Sequence, residues 1–570
     1  MSVASLAYAR PQTQSLDHRV TLNVIQSCVD TLSAKIAKNR PKPTFLTDGA
    51  DWSKQQRAKK LDKFIAGAFY QMRVFEETPR VFTDSGVFGT GFYKVFSQNG
   101  KLCGERANPD EILVDDAEGI YGNPSTVYQN KALERDMLLD LYPEHKVAIN
   151  AAPRADKVAG MMSNDHGADR IIVTESWHLP TSSDSKDGRH FMGIEGADFV
   201  FDEWKRPRFP FATMRNNPKL FGFWGQGTAE RLLSLQLEIN KLLRSIQLAQ
   251  HLMSVPRIWL ERGSKIIKAH LNNKIGMIGE YSGLKPEASV FQAMSPEVYE
   301  HLDKLYQRAF EIEGISQLSA QAKKPAGLDS SVALREYNDI ESERFVQVGQ
   351  RWEYFHMDIS RIIIDECRDL MEQDPGFSIV AKGKRGLETI KFKDVDMDDD
   401  GVIMQVFPTS GLSSNPAERK QEVQEWMQGG LIDPDEGLAL LNLPDLEGYK
   451  NLRWAAKDVV KDVVEKMIED GVFTSPEPYM DLSFAMKYAQ MSYNKAKLDG
   501  VPEPRLELLR RFMTLADTMI KSPPESTQAP TAAAAAPQGP PPPGPPQGPP
   551  GSPPAMPQAP QGPAMPPTAA

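Results

Sequence analysis

The sequence predicts an α+β, helix-rich chain that ends in an unstructured tail. Three observations carry this prediction. Over residues 228–253, apolar side chains recur at steps of three and four, the period of an α-helix. Over residues 83–177, β-prone runs and a hairpin signal replace that period. The final 49 residues hold 19 of the chain's 44 prolines, one charged side chain (Glu525) and no aromatic. That composition cannot bury a core and predicts disorder with polyproline II character.

The chain has 570 residues, enough for roughly three to four domains. A hydrophobic content of 40% supports real cores, and the net charge is -10. Such a chain does not coat nucleic acid with its whole surface. Contact with phosphates has to come from a local basic patch. Cys28, Cys103 and Cys367 are far apart and form no CxxC, which points to an intracellular protein without a disulfide framework. No signal peptide opens the sequence, and no run approaches ~18 apolar residues. A soluble protein without membrane contact is expected.

The elements follow in order. Residues 17–40 have helical spacing (Val20, Val24, Cys28, Leu32, Ile36) and stop at Pro41 and Pro43. Residues 52–76 read as a second helix, with Leu61, Phe64, Ile65, Ala68 and Phe69 on one side and Lys and Arg on the other. From 83 to 116 the reading is strand, with Asn99-Gly100 as a hairpin turn. Residues 170–177 are a strand, and 161–167 an exposed loop. The helix over 228–253 has a main stripe (Leu232, Leu235, Ile239, Leu242, Ile246) and a thinner one (Leu233, Leu237, Leu248, Leu252). A helix apolar on two sides needs neighbours on two sides. A short-stranded insert then leads to Ser295-Pro296-Glu297, an N-cap with Pro at the first helical position. That helix carries Val298, Leu302, Leu305, Phe310 and Ile312 and ends near Gly314. A helix over 331–372 follows a loop, and strands return over 377–407. Helices fill the rest to 521, at about 447–469, 480–498 and 503–521.

The chemistry-bearing motifs are weak. Asp394 to Gly401 resembles half of a calcium loop, but Phe407 stands where the closing Glu belongs, so a solvated turn is the expectation. Gly222, Gly225 and Gly227 precede a helix without the Lys of a phosphate-binding loop, which favours a flexible hinge. Gly86, Gly89 and Gly91 precede a strand and are discounted as a dinucleotide motif. There is no HExxH, no GxSxG and no Cys/His pair at ligand spacing. No catalytic residue, metal site or cofactor is assigned. Lys323 and Lys324 sit in a small-residue loop between two long helices. Repeated around a ring, two lysines per subunit would form a belt that touches phosphates without reading bases.

Asn23 to Asp30 leading into Arg40-Pro-Lys-Pro43, then Gly314-Ile-Ser-Gln-Leu-Ser319 and the stretch to Ser330-Ser-Val-Ala-Leu-Arg335, together with the order of elements over about 17–520, resemble the bacteriophage portal proteins of the podophage branch. These are the head-to-tail connectors. The resemblance implies a dodecameric ring at one capsid vertex, in the virion, around a channel through which double-stranded DNA is packaged and ejected. It implies a wing (1–221, with the long helix 331–372 and strands 373–410), a stem (222–253 and 297–314), a clip (254–296), a tunnel loop (315–330), a helical crown (411–521) and the Pro-rich tail (522–570). Gln317, Gln321, Lys323 and Lys324 would face the DNA. Leu232, Leu235, Ile239, Leu242 and Ile246 would face neighbouring subunits. Implied partners are the terminase large subunit, head-tail adaptor proteins, and the major capsid and scaffolding proteins. The portal itself hydrolyses nothing. Two other readings stay open: a metal-dependent enzyme acting on nucleic acid, and a cytoplasmic coiled-coil scaffold using its Pro-rich tail.

Overall fold

The structure, a computed structural model, describes residues 21–37, 39–47, 51–155, 169–182, 185–254, 257–259, 287–289, 295–316, 345–383, 386–396, 403–407, 416–432, 437, 440, 441 and 447–521. The chain is mixed α+β and helix-rich, as the sequence predicts.

Helix α1 (Val24–Ile36) starts at Asn23, whose side chain accepts from the Gln26 N–H. It buries Val24, Cys28, Val29, Leu32 and Ile36. Strand β1 (Lys42–Leu46) follows, where the sequence reading saw only a stop. Helix α2 (Trp52–Gln71) is capped by Asp51 and buries Leu61, Phe64, Ile65, Ala68 and Phe69. The helix expected over 52–76 ends there. Arg73 takes a left-handed φ of 53°, and a new helix, α3 (Val74–Phe88), begins. The strand expected from Thr83 is therefore helix up to Phe88. Val81, Phe82 and Val87 are β-prone, but Val74, Thr78, Val81, Phe82 and Ser85 fall on one buried helical face. Burial of that face outweighs local preference.

Strands β2 (Thr90–Gln98) and β3 (Lys101–Ala107) form the expected hairpin, with left-handed φ at Asn99 and Gly100. Five antiparallel strands come next in order: β4 (Ile112–Leu113), β5 (Thr126–Glu134), β6 (Arg170–His178), β7 (Arg189–Ile194) and β8 (Ala197–Glu203). Short helices α4 (Arg135–Leu141) and α5 (Lys146–Ala151) cover one part of this sheet. Strand β9 (Phe211–Arg215) joins β2 to complete a three-stranded sheet. Buried Lys94 ties the two sheets together. Its ammonium donates to Gln129 (2.9 Å) and pairs with Glu175 (2.5 Å), and it lies 4.6 Å from the Trp177 ring centre.

The short pair β10 (Asn217–Pro218) and β11 (Gly225–Gln226) leads into α6 (Thr228–Ser254). Beyond it lie β12 (Arg257–Trp259), paired with β13 (Glu287–Ser289), and then α7 (Pro296–Glu313). Helix α8 (Val346–Gln373) crosses the centre of the main core with Trp352, Phe355, Ile359, Ile362, Ile363 and Cys367. Arg206 pairs with Glu366 and Asp369, and Arg208 with Asp365, so the turn between β8 and β9 is tied to α8. The hairpin β14 (Ser378–Lys382) and β15 (Leu387–Lys391) lies against α2. Strand β16 (Ile403–Phe407) runs back to β1, with Lys42 opposite Phe407.

Helices α9 (Pro416–Gln428), α10 (Glu447–Glu469), α11 (Leu482–Leu498) and α12 (Glu503–Lys521) finish the described chain. The last three form their own core around Val460, Val464, Met467, Leu509 and Phe512. This bundle meets α2 where Trp52 joins Ala496, Val501 and Leu506. The Arg505 guanidinium covers the Trp52 ring at 4.2 Å.

Candidate functional site

The two glycine-rich segments dismissed separately in sequence meet in space. A Cβ on Gly225 would lie 2.2 Å from the Gly89 carbonyl oxygen, and one on Gly89 would lie 2.2 Å from that of Gly225. A Cβ on Gly227 would lie 2.5 Å from the Val87 oxygen. Gly225 donates its N–H to Thr90 Oγ1 (2.8 Å), and Asn216 donates to Gly89 O (3.0 Å). The glycines let two backbones touch, which no other residue permits. The expected hinge before α6 is thus a tight junction that fixes this helix to the end of α3. Gly222, with φ of 100° and nothing near its Cβ position, is the free member of the set.

Helices α6 and α7 run antiparallel, since the start of the first meets the end of the second. Thr228 Oγ1 donates to Glu313 Oε2 (3.3 Å), and Arg231 reaches the same oxygen (3.4 Å) and the Ile312 carbonyl (3.0 Å). Glu313 is buried, and burial raises its carboxyl above the ordinary range against the pull of Arg231 and Thr228. Glu313, not Ile312, points inward at the end of α7; Ile312 is 43% exposed. A second lock joins α6 to α1. Gln236 accepts from the Val24 N–H (2.9 Å) and donates to the Leu22 carbonyl (2.7 Å). Neither lock was read from sequence. The stretch Ala309 to Ile315 holds two acids, Glu311 and Glu313, and the sequence alone does not say which of them turns inward.

The start of α6 and the end of α7 are anchored in the core. At ~1.5 Å per residue, the 27 residues of α6 span ~40 Å and the 18 of α7 ~27 Å. In α7 only Ala309, Phe310 and Glu313, at the rooted end, are buried. On α6, Leu232 and Ile239 are fully buried in the main core and Leu235 lies against it. Ile246 is buried too, and Leu242 half-buried. The main stripe of α6 therefore turns largely toward the chain's own core. The thinner stripe is open at two of its four positions, with Leu237 52% exposed and Leu248 59%; Leu233 is half-buried, and the Leu252 side chain lies outside the described residues. The reason is local. The locks at Thr228 and Gln236 set the rotation of α6, and spacing alone cannot say which of two stripes faces inward.

Gln317, Gln321, Lys323 and Lys324 lie outside the described residues, as do 331–344 before α8 and most of 254–296. The described ends of the 317–344 segment are well held. Ile315 is buried in the main core and its N–H donates to the Phe310 carbonyl (2.9 Å). Phe345 packs on the same core, with the Lys35 ammonium 5.7 Å from its ring centre. Ile315 thus holds the start of the segment at the end of α7, and Phe345 holds its end beside α1. The acidic run is half visible: Asp396 accepts from Arg368 (3.2 Å), and 397–402 are outside the described residues. Among the described residues no group of three or more His, Cys, Asp or Glu could hold a metal, and no helix is long and apolar enough to cross a membrane.

No protein-family model matches the chain, and no curated protein matches it.

Proposed function

We propose that the chain is the subunit of a ring-shaped channel for double-stranded DNA, a portal of the head-to-tail connector kind, acting at a capsid vertex. One observation carries this reading: a long antiparallel helix pair, packed on the core through the main stripe of α6 and open at Leu237 and Leu248, with an insert between its two helices in sequence and a lysine-bearing segment directly after it. A stalk of this form supports a stem, the β12–β13 insert a clip, and the 315–330 segment a tunnel loop. The α10–α12 bundle supports a crown.

In this proposal Leu232 and Ile239 hold the stem to its own subunit. The ring contact falls to the open stripe of Leu237 and Leu248. Ring neighbours meet through heterologous surfaces, and an unpartnered stripe on a rigid helix suits such a contact. Gln317, Gln321, Lys323 and Lys324 would line the channel. The terminase large subunit and head-tail adaptors would dock at the clip, and capsid and scaffolding proteins around the wing. The chain would do no catalysis of its own.

Sedimentation across a concentration series tests the reading. The wild-type chain should form one large closed species. Leu237→Asp with Leu248→Asp should remain folded and shift to monomer. A double variant that assembles like wild type would remove these residues from the contact.

A further inference from the structure

The chain has a net charge of -10, yet the first turns of one helix carry the opposite sign. On α2, Lys54, Arg57, Lys59 and Lys60 fall within seven residues, and all four are exposed. Residues 52–61 contain no acid. Among the described residues none of the four has an ion-pair partner. The one acid of α2, Asp62, turns inward and accepts the Phe45 N–H (2.8 Å). The next base, Lys63, is taken by Glu388 (3.4 Å).

A second module adds to this face. Trp52 opens α2 and shares a core with Ala496 at the end of α11. Lys495 and Lys497 flank Ala496, and both are exposed. Of the acids nearby in sequence, Asp51 caps α2, Glu503 pairs with Arg510 (2.6 Å), and Asp499 is half-buried. Two parts of the chain distant in sequence thus place positive charge side by side. The underlying helix is fixed, because Ala58, Leu61, Phe64 and Ile65 are buried beneath it.

The chemistry of the face selects its ligand. Ser53 precedes the bases and Gln55 and Gln56 lie between them, and the large apolar side chains of α2 up to Phe69 are buried. A protein partner is usually anchored by exposed aromatic or aliphatic side chains; residues 52–69 offer none, and the exposed ones at the margins are Tyr70 and Leu498. A polyanion needs only fixed positive charge and donors.

We propose that the exposed basic side chains of the first turns of α2, extended by the end of α11, bind the phosphate backbone of double-stranded nucleic acid without reading its sequence. The choice of nucleic acid among polyanions rests on the proposed channel function. These residues are distinct in sequence from the segment that carries Lys323 and Lys324.

The test uses the full chain and a fluorescent duplex of about 30 base pairs, with anisotropy titrations from about 50 to 200 mM salt. Each phosphate contact contributes about 0.9 to the slope of log affinity against log salt. Lys54→Gln, Arg57→Gln, Lys59→Gln and Lys60→Gln together should lower that slope by about 3 to 4 and weaken binding at least tenfold at low salt. A control with Lys101→Gln, Lys146→Gln, Lys186→Gln and Lys205→Gln, all exposed elsewhere, should bind like wild type. Thermal melts confirm that both variants fold. Equal binding by the α2 variant and wild type overturns the proposal, as does an equal loss in the control. Tighter binding of poly-glutamate than of duplex, lost in the α2 variant, would also overturn it in favour of an acidic protein. Sedimentation of the same samples separates the two claims. Rings whose duplex binding ignores α2 reject the surface alone. Monomers that bind duplex through α2 keep the surface and reject the ring.

Discussion

Alanine at Gly225 should destabilise the chain by about 3 kcal/mol. The added Cβ would meet the Gly89 carbonyl oxygen at 2.2 Å and its carbon at 3.1 Å, and both are backbone atoms that cannot swing aside. Relief requires the end of α3 and the start of α6 to separate. Overpacking of this kind costs about 1 to 3 kcal/mol. Separation would also stretch the Gly225 N–H to Thr90 bond (2.8 Å) and the Asn216 N–H to Gly89 bond (3.0 Å), each worth about 1 kcal/mol. Gly225 is not among the positive-φ glycines, so the loss reports on contact and not on backbone strain. Gly349→Ala is the matched control. Nothing lies within 4 Å of its Cβ position inside α8, so alanine there should stabilise by about 0.5 to 1 kcal/mol. Urea unfolding at fixed chain concentration reads both. A loss below about 0.5 kcal/mol for Gly225→Ala would refute the tight junction and return the segment to a flexible hinge.

The other expectations concern acid, thiols and the loop. His356 is fully buried, donates Nδ1–H to the Trp352 carbonyl (2.8 Å), and burial holds its pKa down at about 4. The unfolded chain takes up this proton near 6.5, so stability falls as pH drops from about 6.5 to about 4, by up to about 3 kcal/mol. His356→Phe should flatten that window in urea melts; an unchanged slope rejects the assignment. Asp62, pushed up to about 6 by burial, acts in the opposite sense, gaining stability as pH falls through 6, so the variant must be compared with wild type at each pH. Burial raises the Cys28 thiol to about 12 and pushes Cys367 up as well, while Cys103 is half-exposed. A thiol reagent should therefore label one cysteine quickly in the native chain and the other two only on unfolding. Lys323→Ala with Lys324→Ala should leave assembly intact and reduce DNA packaging or retention; normal packaging would reject the phosphate belt alone.

Local signals served well where the chain makes its own structure. The 3-4 spacing placed α6, Ser295-Pro296 placed the start of α7, Asn99-Gly100 placed the β2–β3 turn, and α10 and α12 fell where their patterns put them. What stayed hidden depends on distant partners. Strand β1 exists because β16 pairs with it from about 360 residues further along the chain, and Pro41 before it and Pro43 within it suggested only a helix stop. The residues of α3 look β-prone until one face is buried. Gly89 and Gly225 gain their meaning only from each other. Two leucine stripes on α6 were legible, but the one that turns inward is set by Gln236 and Thr228, whose partners lie on other helices.

Electron microscopy of the purified full-length chain tests the central claim most directly. Closed rings with a central channel and a mass of roughly twelve chains of 63.5 kDa each are expected. A monodisperse monomer at every concentration, with no ring when scaffolding or capsid protein is added, would contradict it.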